Sequence, residues 1–261
     1  MATSVPSAPE IVIAIRDVHT TVGGDAIHDG VTLDVHRGRI FALAGPSGCG
    51  KTLLLREALA LHVPDSGSIR VLGRDVVAMG DEEALELRRR CGVVFERGAL
   101  FSSLTVAENV ALPLRERSRL GRTLRDEIAA LKIALVGLPP GAGPKYPSQL
   151  SGGMRRRAAL ARAIALDPEL LFLDEPSAGL DPASGKEFEE LVRHLNELLG
   201  LTVFVVTRDL GLLWNVADHV AFLGEGRIVA AGTMAEVSRS DEPVVRAYFP
   251  GTRSGPAGAP R

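Results

Sequence analysis

Three short runs in this chain combine residue types that can do chemistry. The first is Gly45-Pro46-Ser47-Gly48-Cys49-Gly50-Lys51-Thr52, which fits the spacing G-x-x-x-x-G-K-[ST]. Glycines let the backbone curl until successive N–H groups converge on one phosphate, and a helix start adds the positive end of its dipole. Lys51 would then reach the β- and γ-phosphates of a nucleotide, and the Thr52 hydroxyl would ligate Mg²⁺. Chance rarely supplies all four fixed positions between an apolar strand (IFALA) and an apolar helical pattern (Leu53, Leu54, Leu55, Ala58, Leu59).

The second run is Leu170–Glu175, LLFLDE. Four apolar residues make a buried strand that delivers Asp174 to its carboxyl end, where ligands sit in such sheets. Asp174 would hold Mg²⁺ through water, and Glu175 is placed to polarise an attacking water as general base. The third is Leu150-Ser151-Gly152-Gly153-Met154. Ser151 with the N–H groups of Gly152 and Gly153 at a helix start makes a second anion site. Taken alone, it is equally a serine-capped helix.

Alternating strands and helices must position these runs. Candidate strands are 11–15, 31–35, 40–44, 68–72, 92–95, 170–173, 202–206, 219–223 and 227–230. IFALAG, LLFLDE and TVFVVT are continuously apolar, as in a parallel sheet covered on both faces. The spacing predicts a helix over 183–199, capped by Asp181, with Pro182 in its first turn and Gly200 ending it. Thr105–Glu108 and Thr123–Asp126 match the capping-box pattern and should open two more helices. With the helix after Gly153 they make a helix-rich stretch over about 97–165, read as an inserted helical subdomain. Residues 1–9 and 251–261 are expected to be loose tails.

Composition sets bounds. The chain has 261 residues, 46% apolar and 24% charged, with a formal net charge of -2, so nothing implies nucleic acid as a partner. The basic runs Arg88–Arg90 and Arg155–Arg157 read as solvated helix faces. Two cysteines, Cys49 and Cys91, give neither a disulfide framework nor metal spacing, which fits a reducing compartment. No secretory signal is expected, and no apolar stretch nears the roughly 18 residues a membrane span needs.

Together the phosphate loop, LSGGM and LLFLDE resemble the ATP-binding-cassette (ABC) family, and Ser177-Ala178-Gly179-Leu180-Asp181 resembles its D-loop. The resemblance covers about residues 10–250. It implies an α/β ABC nucleotide-binding domain: a RecA-like, mostly parallel sheet, an N-terminal antiparallel β subdomain and an inserted α-helical subdomain. It implies ATP and Mg²⁺ as cofactors. It also implies a head-to-tail dimer in which Ser151, Gly152 and Gly153 bind the γ-phosphate held by the other copy, with Asp181 at the interface.

Three positions depart from the family. Glu96 stands where a glutamine usually contacts Mg²⁺ and the attacking water; a carboxylate can still ligate Mg²⁺, or it can point to solvent. Arg208 stands where a switch histidine is usual; it could bind the γ-phosphate as an arginine finger does, or be a surface arginine. Val22 takes the place of the aromatic ring that stacks on adenine. These departures predict ATP binding with hydrolysis slower than in relatives, and they keep open a slow or regulatory ABC subunit.

The run Phe95-Glu96-Arg97-Gly98-Ala99-Leu100-Phe101 with LTVAENVALPLRE, and the ending 240–249, are similar to the Mla/Mce lipid-transport ATPases. That similarity implies an ATP-driven motor for phospholipid or other hydrophobic cargo, peripheral on the cytoplasmic face of a bacterial inner membrane. The implied partners are an integral membrane permease, an MCE protein and a small STAS-domain protein. Leu100, Phe101 and Leu104 are either core or a docking surface for the permease. Cys49 is either a small filler or, beside a helix start, a nucleophilic thiol.

Overall fold

A computed structural model of the chain describes residues 10–96 and 98–249; the two expected loose tails lie outside them. The chain opens with a long hairpin, β1 (Ile11–Val22) and β2 (Asp25–His36). It continues through β3 (Ile40–Ala44), α1 (Lys51–Ala58), β4 (Ser66–Val71), β5 (Arg74–Asp75), α2 (Asp81–Arg89) and β6 (Cys91–Val94). Helices α3 (Val106–Arg117), α4 (Arg122–Leu135) and α5 (Gly152–Ala163) follow, then β7 (Leu170–Asp174), α6 (Pro182–Leu199) and β8 (Thr202–Val206). The remainder is α7 (Leu210–Asn215), β9 (His219–Gly224), β10 (Arg227–Gly232), α8 (Met234–Val237) and α9 (Pro243–Tyr248).

Two sheets result. One is antiparallel, in the order β2-β1-β4-β5. The other runs β10-β9-β3-β8-β7-β6; it is parallel except for the edge strand β10. The continuous apolar runs have their physical reason here. Along β7, Leu170 and Phe172 enter the core shared with the antiparallel sheet and α1, while Leu171 and Leu173 enter the core shared with α3–α6. Strands wrapped on both faces cannot alternate apolar and polar residues. Phe41, Phe204 and Phe172 form a ladder on one face, with ring centroids 5.6 and 5.7 Å apart.

The hairpin is longer than the apolar pattern suggested, because its outer half pairs polar residues such as Thr20 with His28. The second expected capping box is not formed. Gly121 caps α4 without a side-chain hydrogen bond, and Thr123 lies inside the first turn rather than at the cap. The first is formed: Thr105 Oγ1 accepts from Glu108 N at 3.2 Å, and Glu108 Oε2 accepts from Thr105 N at 2.8 Å. Asp181 accepts from Ser184 N at 3.0 Å, and Gly200 ends α6 at φ 65°. Helices α3, α4 and α5 pack on one another, and their apolar residues Val106, Ile133 and Leu160 share one core with Leu171 of the sheet.

Candidate functional site

The loop 45–50 runs from the carboxyl end of β3 into α1. Two glycines have no substitute there. A Cβ on Gly45 (φ 149°) would lie 2.3 Å from Leu223 O, and one on Gly50 (φ 98°) would lie 2.6 Å from His28 Nε2. The Lys51 ammonium folds back on the loop and donates to Gly45 O at 2.9 Å and Pro46 O at 2.7 Å. Thr52 Oγ1 donates to Asp174 Oδ1 at 2.9 Å, which joins the start of α1 to the end of β7. Burial pushes the Asp174 carboxyl above its ordinary value; Thr52 opposes this, and Glu175 and Glu96 add to it.

Glu175 follows β7 at φ 45°, a left-handed conformation that costs a non-glycine residue free energy and turns its side chain back over the strand ends. Its carboxylate is not free. Arg208 Nε donates to Oε1 at 3.0 Å and Arg208 N to Oε2 at 3.2 Å. Tyr248 of α9 donates to Arg208 O at 3.3 Å, and burial pushes the Tyr248 phenol up to about 12. So the arginine expected on a phosphate sits on the expected general base.

These groups open onto one cavity of about 420 Å³, lined by the loop residues Ser47, Gly48, Gly50, Lys51 and Thr52 and by Val22, Glu96, Glu175 and Arg208. Ile27, Leu53 and Arg56 also line it, and the sequence reading missed them. Arg56 lies one turn after Thr52 on α1, and one turn after Leu53, a signal that was available. Ile27 joins Val22 only through the hairpin register. Glu96 is exposed, and its carbonyl accepts from the buried Arg156, which also donates to Phe95 O at 3.1 Å and Ala178 O at 3.1 Å. Cys49 is half-buried, and burial raises its thiol against the pull of Lys51, so it is not the activated nucleophile considered above.

Ser151 caps α5, accepting from Met154 N at 3.2 Å. Gly152 and Gly153 open the helix against Leu180 and Ser184. Gly152 lines a second cavity with Arg155, Arg156, Gly179 and Leu180, and the first cavity contains none of the three signature residues. Asp181 is exposed beside them. One chain therefore carries two candidate phosphate-binding elements that line different cavities, with Glu96 on the wall of both.

The family model for ABC transporters matches residues 28–178, more than half of the chain. This chain belongs to the ABC transporter family. It is the ATP-binding subunit of a membrane transporter and an ABC-type ATPase. The Escherichia coli K12 protein named "Intermembrane phospholipid transport system ATP-binding protein MlaF" is 42% identical to the ABC chain over 244 residues, 94% of this chain and 90% of that one. A Mycobacterium tuberculosis protein named "Probable ribonucleotide transport ATP-binding protein mkl" is 37% identical over 246 residues, 94% and 68% of the two chains. Among solved structures, the dimeric post-hydrolysis state of the ATP-binding cassette MJ0796, bound to ADP and Pi, has a TM-score of 0.78 at 29% identity, covering 85% of the ABC chain and 98% of that cassette. The cbiO1 subunit of Clostridium perfringens has a TM-score of 0.80 at 26% identity, covering 87% and 90%.

Proposed function

We propose that the 420 Å³ cavity binds ATP and that two copies of the chain close head to tail over two nucleotides. The observation that carries this is the separation of the phosphate loop from Ser151–Gly153 within one chain: each half lacks what the other copy would bring. In this reading the helix-rich stretch 97–165 carries the signature loop to the partner copy. Asp181 lies on the shared surface.

The donors fit Mg²⁺. Thr52 hydroxyl and Asp174 carboxylate are hard oxygens of the kind Mg²⁺ takes, and Asp174 is held above its ordinary value by burial, with Glu175 and Glu96 adding to it. Bound there, the ion would neutralise charge on the β- and γ-phosphates. The chain's own residues do the rest. Lys51 trades the Gly45 and Pro46 carbonyls for phosphate oxygens. Val22 and Ile27 offer the base aliphatic contact only. Glu175 must release Arg208 before it can orient a water, so hydrolysis starts from a blocked base. Arg208 then faces the γ-phosphate side of the cavity.

The cargo reading is phospholipid or another hydrophobic molecule, on the strength of the relatives' names and the Phe95–Phe101 run. Among the described residues no helix is long and apolar enough to cross a membrane. The chain would act on the cytoplasmic face of an inner membrane through an integral permease, with MCE and STAS proteins as further partners. A cavity of about 380 Å³ lined by Leu59, Leu61, Phe95, Phe101, Leu112 and Pro113 suits the permease; Phe101 is 52% exposed, which favours docking over core packing.

Two measurements test this. With Mg-ATP, Glu175→Gln should elute as a dimer and Lys51→Ala as a monomer; a monomeric Glu175→Gln refutes the shared site. Mass spectrometry of the complex purified with its membrane partners should find bound phospholipid; an empty complex, or one holding a polar solute, refutes the cargo.

A further inference from the structure

Beneath the phosphate loop lies a cluster the ATPase chemistry does not use. His28 of β2 and Glu57 of α1 face each other with both side chains wholly buried, His28 Nδ1 lying 3.2 Å from Glu57 Oε2. Thr20 of β1, the cross-strand neighbour of His28, donates to Glu57 Oε1 at 2.6 Å. The half-exposed His62, just after α1, approaches that oxygen at 3.6 Å.

Glu57 is in the last turn of α1, where the helix dipole disfavours a carboxylate. A buried carboxylate there needs a partner of opposite charge. The other face of the ring settles what His28 does. Its Nε2 lies 3.1 Å from Gly50 O, and a carbonyl oxygen can only accept, so Nε2 carries a hydrogen and donates. Nδ1 lies 3.2 Å from Glu57 Oε2, within ion-pair reach, although neither atom makes a formed hydrogen bond. The ring is held against Glu57 on one side and presents one oriented N–H to the residue before Lys51 on the other.

We propose that His28, backed by Glu57, is a positioning residue for nucleotide binding: a buried strut that holds the Gly50 carbonyl and so sets the turn from which Lys51 and Thr52 project. Gly50 closes the loop in a left-handed conformation, and its carbonyl also starts α1 by accepting from Leu54 N at 2.9 Å. Losing the second donor frees the turn without removing the helix bond. The proposal rests on the reading of Gly45–Thr52 as the phosphate site.

The test separates donor from charge. Affinity for a fluorescent ATP analogue with Mg²⁺ is measured on the full chain. His28→Phe/Glu57→Leu removes both charges and the donor; His28→Gln/Glu57→Gln removes both charges and keeps an amide donor facing Gly50 O. The first should bind about tenfold more weakly than wild type, and the second within about threefold of it. Should the first not fold, His28→Ala/Glu57→Gln against the Gln/Gln variant repeats the contrast. Equal affinity of the donor-free variant and wild type, or equal weakness of the two doubles, overturns the strut. A wild-type chain that fails to bind the analogue overturns the phosphate-site reading instead.

Discussion

Replacing Arg208 by histidine should speed ATP hydrolysis. Glu175 cannot orient a water freely while the Arg208 side chain holds its Oε1 at 3.0 Å; the substitution removes that contact and leaves only the backbone N–H of residue 208 on Oε2 at 3.2 Å. Two unit charges 4 Å apart attract by about 4 kcal/mol at an effective dielectric of 20 and by about 1 kcal/mol in water. The Arg208 side chain is 50% exposed and that of Glu175 14%, so the pair lies between these limits and is discounted for screening and side-chain entropy. A value of about 1 to 2 kcal/mol follows, which corresponds to about 5- to 30-fold in rate if the contact must break before attack. Steady-state phosphate release should rise by that factor in Arg208→His. Glu96→Gln, which removes one carboxylate from beside Asp174, should raise it less. The rise should shrink with added salt, because a half-exposed pair is screened. Unchanged turnover in both variants would refute the blocked-base argument. A large fall in Arg208→His would show instead that the guanidinium stabilises the transferring phosphoryl group more than it restrains Glu175.

Asp174→Asn should stabilise the nucleotide-free chain at neutral pH. Burial raises the Asp174 carboxyl, so the folded chain holds that proton more tightly than the unfolded one; the stability this contributes is complete below the unfolded value and lost as pH climbs through the folded one. Differential scanning calorimetry should show the variant melting higher near pH 7, with the gap closing as pH falls toward the ordinary carboxylate range. Phe101→Asp should release the permease in a pull-down while leaving ATP affinity intact; loss of the folded circular dichroism signal would assign Phe101 to the core. Thr105→Ala removes one arm of the capping box at α3 and should cost about 1 kcal/mol, read as a lower melting midpoint.

Much of the architecture was readable along the chain because its signals are local. Residues 40–44 and 202–206 are apolar throughout because both faces of the parallel sheet are covered, and Asp181, Pro182 and Gly200 bracket α6 by backbone requirements met within a few residues. The phosphate loop, LLFLDE and LSGGM were legible for the same reason: each is one strand-to-helix or loop-to-helix turn whose chemistry depends on immediate neighbours. Thr123 misled because Gly121, two places earlier, supplied the helix start.

Pairings between distant residues depended on the fold. That Glu96 and Arg208 depart from the family pattern was visible in sequence. That Arg208 lies on Glu175, 33 residues away, follows from β7 and β8 being neighbours in the sheet, so that the loops after them meet. Val22 and Ile27 reach one wall of the cavity through the hairpin register, and His28 meets Glu57 because β2 packs on α1 beside Gly50. Composition counts such residues as ordinary charges. The neighbours each one meets, decided only when strands, loops and helix come together, turn them into a blocked base and a strut.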